Sequence, residues 1–349
     1  MPFRSFDTLH GLNEARRLSW SRIDTDALDC VAVNVAVLLD FVGIADARTP
    51  FAAEWHFAFE AASEPAHPLL MRSSLAQAVN SYSGCIVDSH AVGIGEPIFA
   101  GLRELASRGP FLVFGDTYHM PWLPYCGHQH MEHSVIVAGW DDGDVHIVDA
   151  YHIRTEWGEA QPSAATIPAA ALLESMEALI SDRRGITWTI RRVDTAPKID
   201  FAAVLRDNAD EIRRSLAERH ALRAFAAYYQ AHSKELPFLR EFTLNCWLIA
   251  RARLLHARWL QDRAHDCPNV VTPELVEGFQ TLVGSWQRAS EFAYISLRRR
   301  QDGRLPSEAP FHMIVNELEL AETEAARRLS EALSRDPPLR RVGERVIPC

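Results

Sequence analysis

The sequence predicts a mixed α+β fold in the first part of the chain, followed by an all-helical C-terminal part. Short runs rich in β-branched and aromatic residues alternate with helical patterns up to about residue 195, whereas almost every later segment has helical periodicity. At 349 residues the chain is also long for a single hydrophobic core. We therefore expect two domains, residues 1–195 and 196–349, joined at the proline-containing segment 194–198.

A buried helix is predicted over residues 30–42, beginning at Cys30. The segment is apolar almost all round, with Asp29 in the position of an N-cap and Gly43 in a position that often ends a helix. Its β-branched residues would also suit a buried strand, but thirteen residues is long for one. A second helix is expected over residues 98–108.

Four runs of the N-terminal part have the composition of β-strands. Asp142 and Gly143 separate two of them, and an Asp-Gly pair supplies the positive φ angles that a tight hairpin turn requires. The four runs are FLVFGD (111–116), SVIVAGW (134–140), VHIVDA (145–150) and ITWTIRR (186–192).

The second half reads as four to five amphipathic helices. Thr272 followed by Pro273 is typical of a helix start, and apolar residues at helical spacing predict packed faces. Such a region can be a helical cap or an interaction domain with no chemistry of its own. The expected extents are 199–217, 221–233, 239–263, 273–300 and 307–334.

Composition limits the partners and the location. A net charge of −10 repels phosphate, so we expect no general nucleic-acid partner, and the basic runs 183–184 and 298–300 fit solvated faces better than docking sites for an acidic partner. We find no apolar stretch of transmembrane length and no signal peptide at the N-terminus, which predicts a cytoplasmic protein without membrane contact. The six cysteines lack regular spacing and are expected to be thiols. The sequence predicts no cofactor and leaves the oligomeric state open.

Cys30 is the first candidate for chemistry because it lies at the predicted start of a helix. Free backbone amides and the helix dipole favour an anion there, and a thiol so placed tends to be reactive. The nearby Asp24, Asp26 and Asp29 would oppose this effect if they faced the sulfur. A cysteine at a buried helix start is also often an inert core residue.

His133 and Asp149 complete a candidate triad. His133 directly precedes an apolar strand, and Asp149 lies near the end of the next strand of the predicted hairpin. A nucleophile, a base and an acid contributed by three elements is the general arrangement of an activated nucleophile. A simple hairpin register pairs Asp149 with Ile136, three residues or about 10 Å from His133, so contact requires a bulge, a strong twist or a leaning side chain.

The segment 116–133 also suggests a metal site as an alternative. It contains His119, Cys126, His128 and His130, and zinc binds cysteine and histidine. The alternate spacing of 126, 128 and 130 differs from the usual spacing of zinc ligands, so we expect no metal. The ordinary interpretation of His128 and His130 is a polar loop that lines a cleft.

Taken together, these segments resemble a known enzyme family. The helix headed by Cys30, the string DTYHMPWLPY (116–125), the string HQHMEHSVIVAGWD (128–141) and VHIVDA (145–150) resemble the butirosin-biosynthesis acyltransferases. That family is a branch of the papain-like cysteine fold, related to bacteriocin leader peptidases. The resemblance is strongest over 24–151, and the helical second half is similar in a less specific way.

The resemblance implies a papain-like catalytic domain that performs acyl transfer. Cys30 matches the nucleophile, His133 the base and Asp149 the orienting acid, and the acyl group would pass from a carrier-protein or other thioester to a small amine or peptidyl acceptor. Asp116 and Tyr118 match a shared D-x-Y motif, which we expect to shape the substrate pocket. We place His130 with them as a substrate-binding candidate.

The chain departs from the papain pattern at one position. Papain-like enzymes often have a glutamine about six residues before the cysteine as an oxyanion donor, whereas this chain has Asp24. An ionised carboxylate cannot donate a hydrogen bond, so the donors would have to be backbone amides or another side chain. Two alternatives to acyl transfer remain: a hydrolase (peptidase or thioesterase) on the same triad, and a binding module without catalysis.

Overall fold

The computed structural model describes residues 4–5, 18–59, 68–71, 73–93, 97–141, 143–193, 199–217, 220–304 and 308–335. Three features of the sequence analysis lie outside the described residues: the absence of a signal peptide in the first residues, the linker 194–198 and Asp142 in the hairpin turn.

The chain divides into two compact units, one formed by 1–53 with 73–198 and the other by 54–72 with 199–349. Residues 54–72 therefore belong with the C-terminal helices, although the sequence-based boundary assigned them to the first domain.

The first unit is built on a seven-stranded sheet whose neighbouring strands are all antiparallel. The strands lie in the order β1-β8-β5-β4-β3-β9-β2, and a separate hairpin pairs β6 with β7. Their bounds are Arg4–Ser5 (β1), Cys85–Ala91 (β2), Phe111–Asp116 (β3), Glu132–Asp141 (β4), Asp144–Asp149 (β5), Ile153–Thr155 (β6), Gly158–Ala160 (β7), Ser163–Pro168 (β8) and Ile186–Arg192 (β9).

Helices pack against this sheet, and the side chains between helices and sheet form the core of the unit. Side chains of α4 (Pro97–Arg108) and α5 (Ala169–Ala178) pack against one face in a cluster that includes Val135, Val137 and Ile147, all fully or almost fully buried. The middle of α1 (Cys30–Phe41) is buried over residues 32–39, and the helix ends before Gly43, which has a positive φ of 87°. The bounds are Cys30–Phe41 (α1), Thr49–Ala52 (α2), Leu75–Ser83 (α3), Pro97–Arg108 (α4) and Ala169–Ala178 (α5).

The four predicted strands and the two predicted helices of the first unit are confirmed to within two residues at each end. The hairpin does not have the simple register, and a bulge, one of the three ways in which contact between His133 and Asp149 was expected to arise, is present. Val137 pairs with Ile147 and Gly139 pairs with His146, so Ala138 is an extra residue that forms a bulge in β4. Because of the bulge, Ile136 lies opposite Val148 instead of Asp149.

The second unit is helical, as predicted, with helices α6 (Phe201–Ala217), α7 (His220–Ala231), α8 (Leu236–Asp262), α9 (Pro273–Gln301) and α10 (Glu308–Arg335). Trp55 explains why residues 54–72 belong to it, since its ring packs edge-on against His256 and Phe279 at centroid distances of 5.2 Å. Phe57 does the same against Phe225 at 5.9 Å. Within the described ranges, no helix has the length and apolar character needed to span a membrane.

Candidate active site

Cys30 is the first residue of α1, and its neighbour Asp29 caps the helix. The Asp29 carboxylate accepts hydrogen bonds from the amides of Val31 at 2.9 Å and Ala32 at 2.8 Å. Asp29 therefore satisfies two of the amides that a helix start leaves without partners. Cys30 itself is half-buried, so solvent reaches this residue, whereas Cys85 in the same unit is fully buried.

His133 and Asp149 form a buried pair next to this helix start. Nε2 of His133 lies 2.8 Å from Oδ2 of Asp149, and the two residues are 0% and 3% exposed. The bulge at Ala138 accounts for the contact. The observed pairing, extended by one residue beyond Val148, places Asp149 opposite Val135, two residues from His133 and on the same face of the sheet. The simple register would have placed the two side chains on opposite faces.

Further donors hold the Asp149 carboxylate in place. Oδ2 also accepts a hydrogen bond from Nε1 of Trp122 at 3.0 Å, and Oδ1 accepts one from the amide of Tyr151 at 3.1 Å. The Tyr151 ring contacts the His133 ring edge-to-face at 5.2 Å. Asp149 is thus a hydrogen-bonded acid with a fixed orientation, as a residue that orients an imidazole must be.

The charges around His133 determine its protonation state. Burial is the largest single influence and lowers the pKa of His133, but the charges of Asp149 and Cys30 and their hydrogen bonds outweigh it and raise the pKa to about 10. Nδ1 has no partner that meets strict hydrogen-bond geometry among the described residues, while Nε2 is engaged by Asp149. Asp149 and Cys30 therefore favour the protonated, imidazolium form of the ring, and Nδ1 is the ring nitrogen that Asp149 leaves for the Cys30 sulfur.

Asn34 joins the elements of the site, a role that the sequence analysis did not identify. Its Nδ2 donates to the carbonyl oxygen of Ser134 at 2.8 Å and to that of Cys30 at 3.1 Å, and its Oδ1 accepts from the Ala150 amide at 3.0 Å. The Ser134 hydroxyl donates to the Cys30 carbonyl at 2.8 Å. One buried amide thus connects the start of α1 to β4 and to the end of β5. The available signal was an asparagine in the apolar middle of the helix, since buried polar groups require partners.

The D-x-Y motif lies beside the triad. Asp116 is the last residue of β3, directly after Gly115, which pairs with His133. Its carboxylate contacts Nδ1 of His130 at 2.6 Å and accepts from the Tyr118 amide at 3.1 Å. The rings of Tyr118 and His130 stack at a centroid distance of 4.3 Å. The three substrate-pocket candidates are therefore one connected group, one register step from His133.

The acidic residues before Cys30 have other partners. Asp24, at the position of the expected glutamine, forms an ion pair with Arg48 at 2.6 Å. Asp29 caps the helix as described above. Neither carboxylate can donate a hydrogen bond to an oxyanion. Asp29 already accepts from the amides of Val31 and Ala32, so the backbone amide of Cys30 is the donor that remains in the first turn of the helix.

The histidines of the 116–133 segment have separate neighbours. His119 contacts Glu174 at 3.0 Å, and His128 stacks on Trp157 at a centroid distance of 5.4 Å. Within the part of the chain that the structure describes, no three His, Cys, Asp or Glu side chains are grouped as metal ligands.

No protein-family model matches the chain, and no curated protein matches it.

Proposed function

We propose that the protein is a cysteine-dependent acyltransferase of papain-like architecture, which moves an acyl group from a thioester through Cys30 to an amine. The observation that carries the proposal is the buried His133–Asp149 pair at 2.8 Å, together with the influence of Cys30 on the pKa of His133. A half-exposed thiol beside a buried, oriented imidazolium is the arrangement that nucleophilic catalysis by cysteine requires.

In the first half-reaction, the Cys30 thiolate attacks the thioester carbonyl carbon, and the amide of Cys30 donates to the oxyanion. The carbon–sulfur bond to the donor then breaks. The departing sulfur takes the proton of His133, so a thiol leaves and His133 becomes neutral. Exchange of one thioester for another is nearly isoenergetic, so little free energy is lost at this step.

Acylation also prepares His133 for the second half-reaction. Once Cys30 carries an acyl group, its negative charge no longer raises the pKa of His133, and the pKa falls from about 10. A neutral His133 then takes one proton from the attacking amine. The amide forms, the bond to Cys30 breaks, and the thiolate and imidazolium return.

The proposed donor is a carrier-protein or other thioester, and the proposed acceptor is a small amine or peptidyl amine, in cytoplasmic natural-product biosynthesis. This part of the proposal rests on the resemblance of residues 24–151 to the butirosin-biosynthesis acyltransferases.

The test measures how the acyl-enzyme partitions. The wild type is incubated with an acyl N-acetylcysteamine thioester, with and without a primary amine, and the amide and the free acid are quantified. We expect amide to form in proportion to amine concentration, and Cys30→Ala to form none. Cys126→Ala, which removes another half-buried thiol of the same unit, should behave as wild type. Acid as the main product at every amine concentration would instead identify a hydrolase, and unchanged activity in Cys30→Ala would refute the mechanism.

A further inference from the structure

In the second half-reaction the amine must lose two protons, and the triad can accept only one of them. A primary amine in water at neutral pH is mostly an ammonium ion, which must lose one proton before nitrogen can attack and a second proton as the amide forms. In the proposed mechanism His133 is neutral after acylation and can accept only one of them. The other proton needs a second base.

His130 is placed to act as such a base, and it contacts Asp116 and Tyr118. Asp116 is buried, 5% exposed, and its Oδ2 accepts from Nδ1 of His130 at 2.6 Å. In the neutral form of the ring, this hydrogen bond places the hydrogen on Nδ1 and the lone pair on Nε2. The side chain of His130 is 68% exposed, so this Nε2 belongs to an imidazole that a dissolved amine can reach.

The position of His130 is also fixed. The Tyr118 ring lies parallel to the imidazole, with an interplanar angle of 8°, and the amides of Tyr118 and Met131 hold the Asp116 carboxylate at 3.1 and 3.3 Å. Asp116 follows Gly115, the register partner of His133, so the second histidine–carboxylate pair extends from the same end of the sheet as the first.

We propose that His130, oriented by Asp116, is the base that takes the first proton from an ammonium acceptor before the amine attacks the Cys30 thioester; this inference rests on the proposed function. His130 Nε2 takes a proton from R–NH3+, and the neutral R–NH2 attacks the acyl carbon. His133 then accepts the second proton as the carbon–sulfur bond breaks. His130 finally releases its proton to water, which its exposure permits.

The experiment separates the two half-reactions in His130→Ala. The acyl-enzyme is formed with an acyl N-acetylcysteamine thioester and followed by intact mass. It is then mixed either with an alkylamine, which is protonated at neutral pH, or with hydroxylamine, which is largely neutral there and does not need the first base. Relative to the wild-type acyl-enzyme, we expect the preformed acyl-enzyme of His130→Ala to react about 100-fold more slowly with the alkylamine, since a positioned base contributes about 100-fold or more. With hydroxylamine we expect a loss below about threefold.

The matched control is His128→Ala, which removes a neighbouring exposed histidine that stacks on Trp157 and should react with both amines at wild-type rates. Equal losses of His130→Ala with both amines, or no loss with either, would overturn the inference. Failure of the wild type to form any acyl-enzyme would overturn the proposed function, and this inference with it. If the wild type forms the acyl-enzyme but His130→Ala reacts with the alkylamine at the wild-type rate, only this inference fails and the proposed function stands.

Discussion

Replacement of Asn34 by alanine tests whether one buried amide holds the site together. Its side chain is 0% exposed and links three backbone groups: the carbonyls of Cys30 and Ser134 and the amide of Ala150. In Asn34→Ala the Ala150 amide and the Ser134 carbonyl lose their side-chain partner, while the Cys30 carbonyl keeps the Ser134 hydroxyl at 2.8 Å. At about 1–3 kcal/mol for each of the two buried groups left unpaired, the free energy of unfolding should fall by about 2–6 kcal/mol.

The functional loss should exceed what lower stability explains. Without Asn34, the start of α1 can shift relative to His133, and a displacement of about 1 Å costs about 100-fold in a reaction that depends on alignment. Two assays are needed: denaturant unfolding for stability, and intact-mass kinetics for acylation of Cys30 under conditions where each variant is folded.

The control for this experiment is Asn208→Ala in the helical unit. Asn208 is equally buried, and its Oδ1 accepts from the Trp55 amide at 3.0 Å. We expect Asn208→Ala to lose stability without slowing the acylation of Cys30. A folded Asn34→Ala variant that acylates within twofold of the wild-type rate would refute the positioning role.

Two further predictions concern His133 and its strand. The pKa of His133 is lowered by burial but raised overall to about 10 by Asp149 and Cys30, above the ordinary 6.5, so its stabilising contribution is fully present below about pH 6.5 and is lost as the pH rises through about 10. The difference in unfolding free energy between wild type and Asp149→Asn should therefore shrink over that range, and a constant difference would contradict the assignment. Deletion of Ala138 should remove the bulge, turn Asp149 to the face opposite His133 and abolish acylation of Cys30 in a folded protein, whereas Ala138→Gly, which keeps the residue count, should retain it. An active, folded deletion variant would show that the bulge does not set the contact.

Local signals in the sequence predict much of this fold. Asp29 and Gly43 mark both ends of α1, and the β-branched and aromatic runs locate β3, β4, β5 and β9. These patterns succeed because capping and side-chain alternation depend on neighbours along the chain. Short strands such as β6 and β7 are missed because three residues carry too little pattern.

Long-range features could not be predicted in the same way. Gly139 within the strand is compatible with a bulge, but it does not show that a residue is extra there, and this bulge decides whether Asp149 and His133 share a face. The segment 54–72 joins the helical unit through Trp55 and Phe57, whose partners lie more than 150 residues away along the chain. The alternation of aromatic residues at 55, 57 and 59 indicates an extended segment with one buried face, but it does not indicate which unit covers that face.

The most direct test of the central claim is to locate the acyl group on the protein. Wild-type enzyme is incubated with an acyl N-acetylcysteamine thioester, quenched in acid, digested and mapped by mass spectrometry. We predict one acyl group per chain, on the peptide that contains Cys30, and no adduct in His133→Ala over the same time. An adduct on Cys126 or Cys267 instead of Cys30, or one that forms on Cys30 at the same rate without His133, would contradict the account.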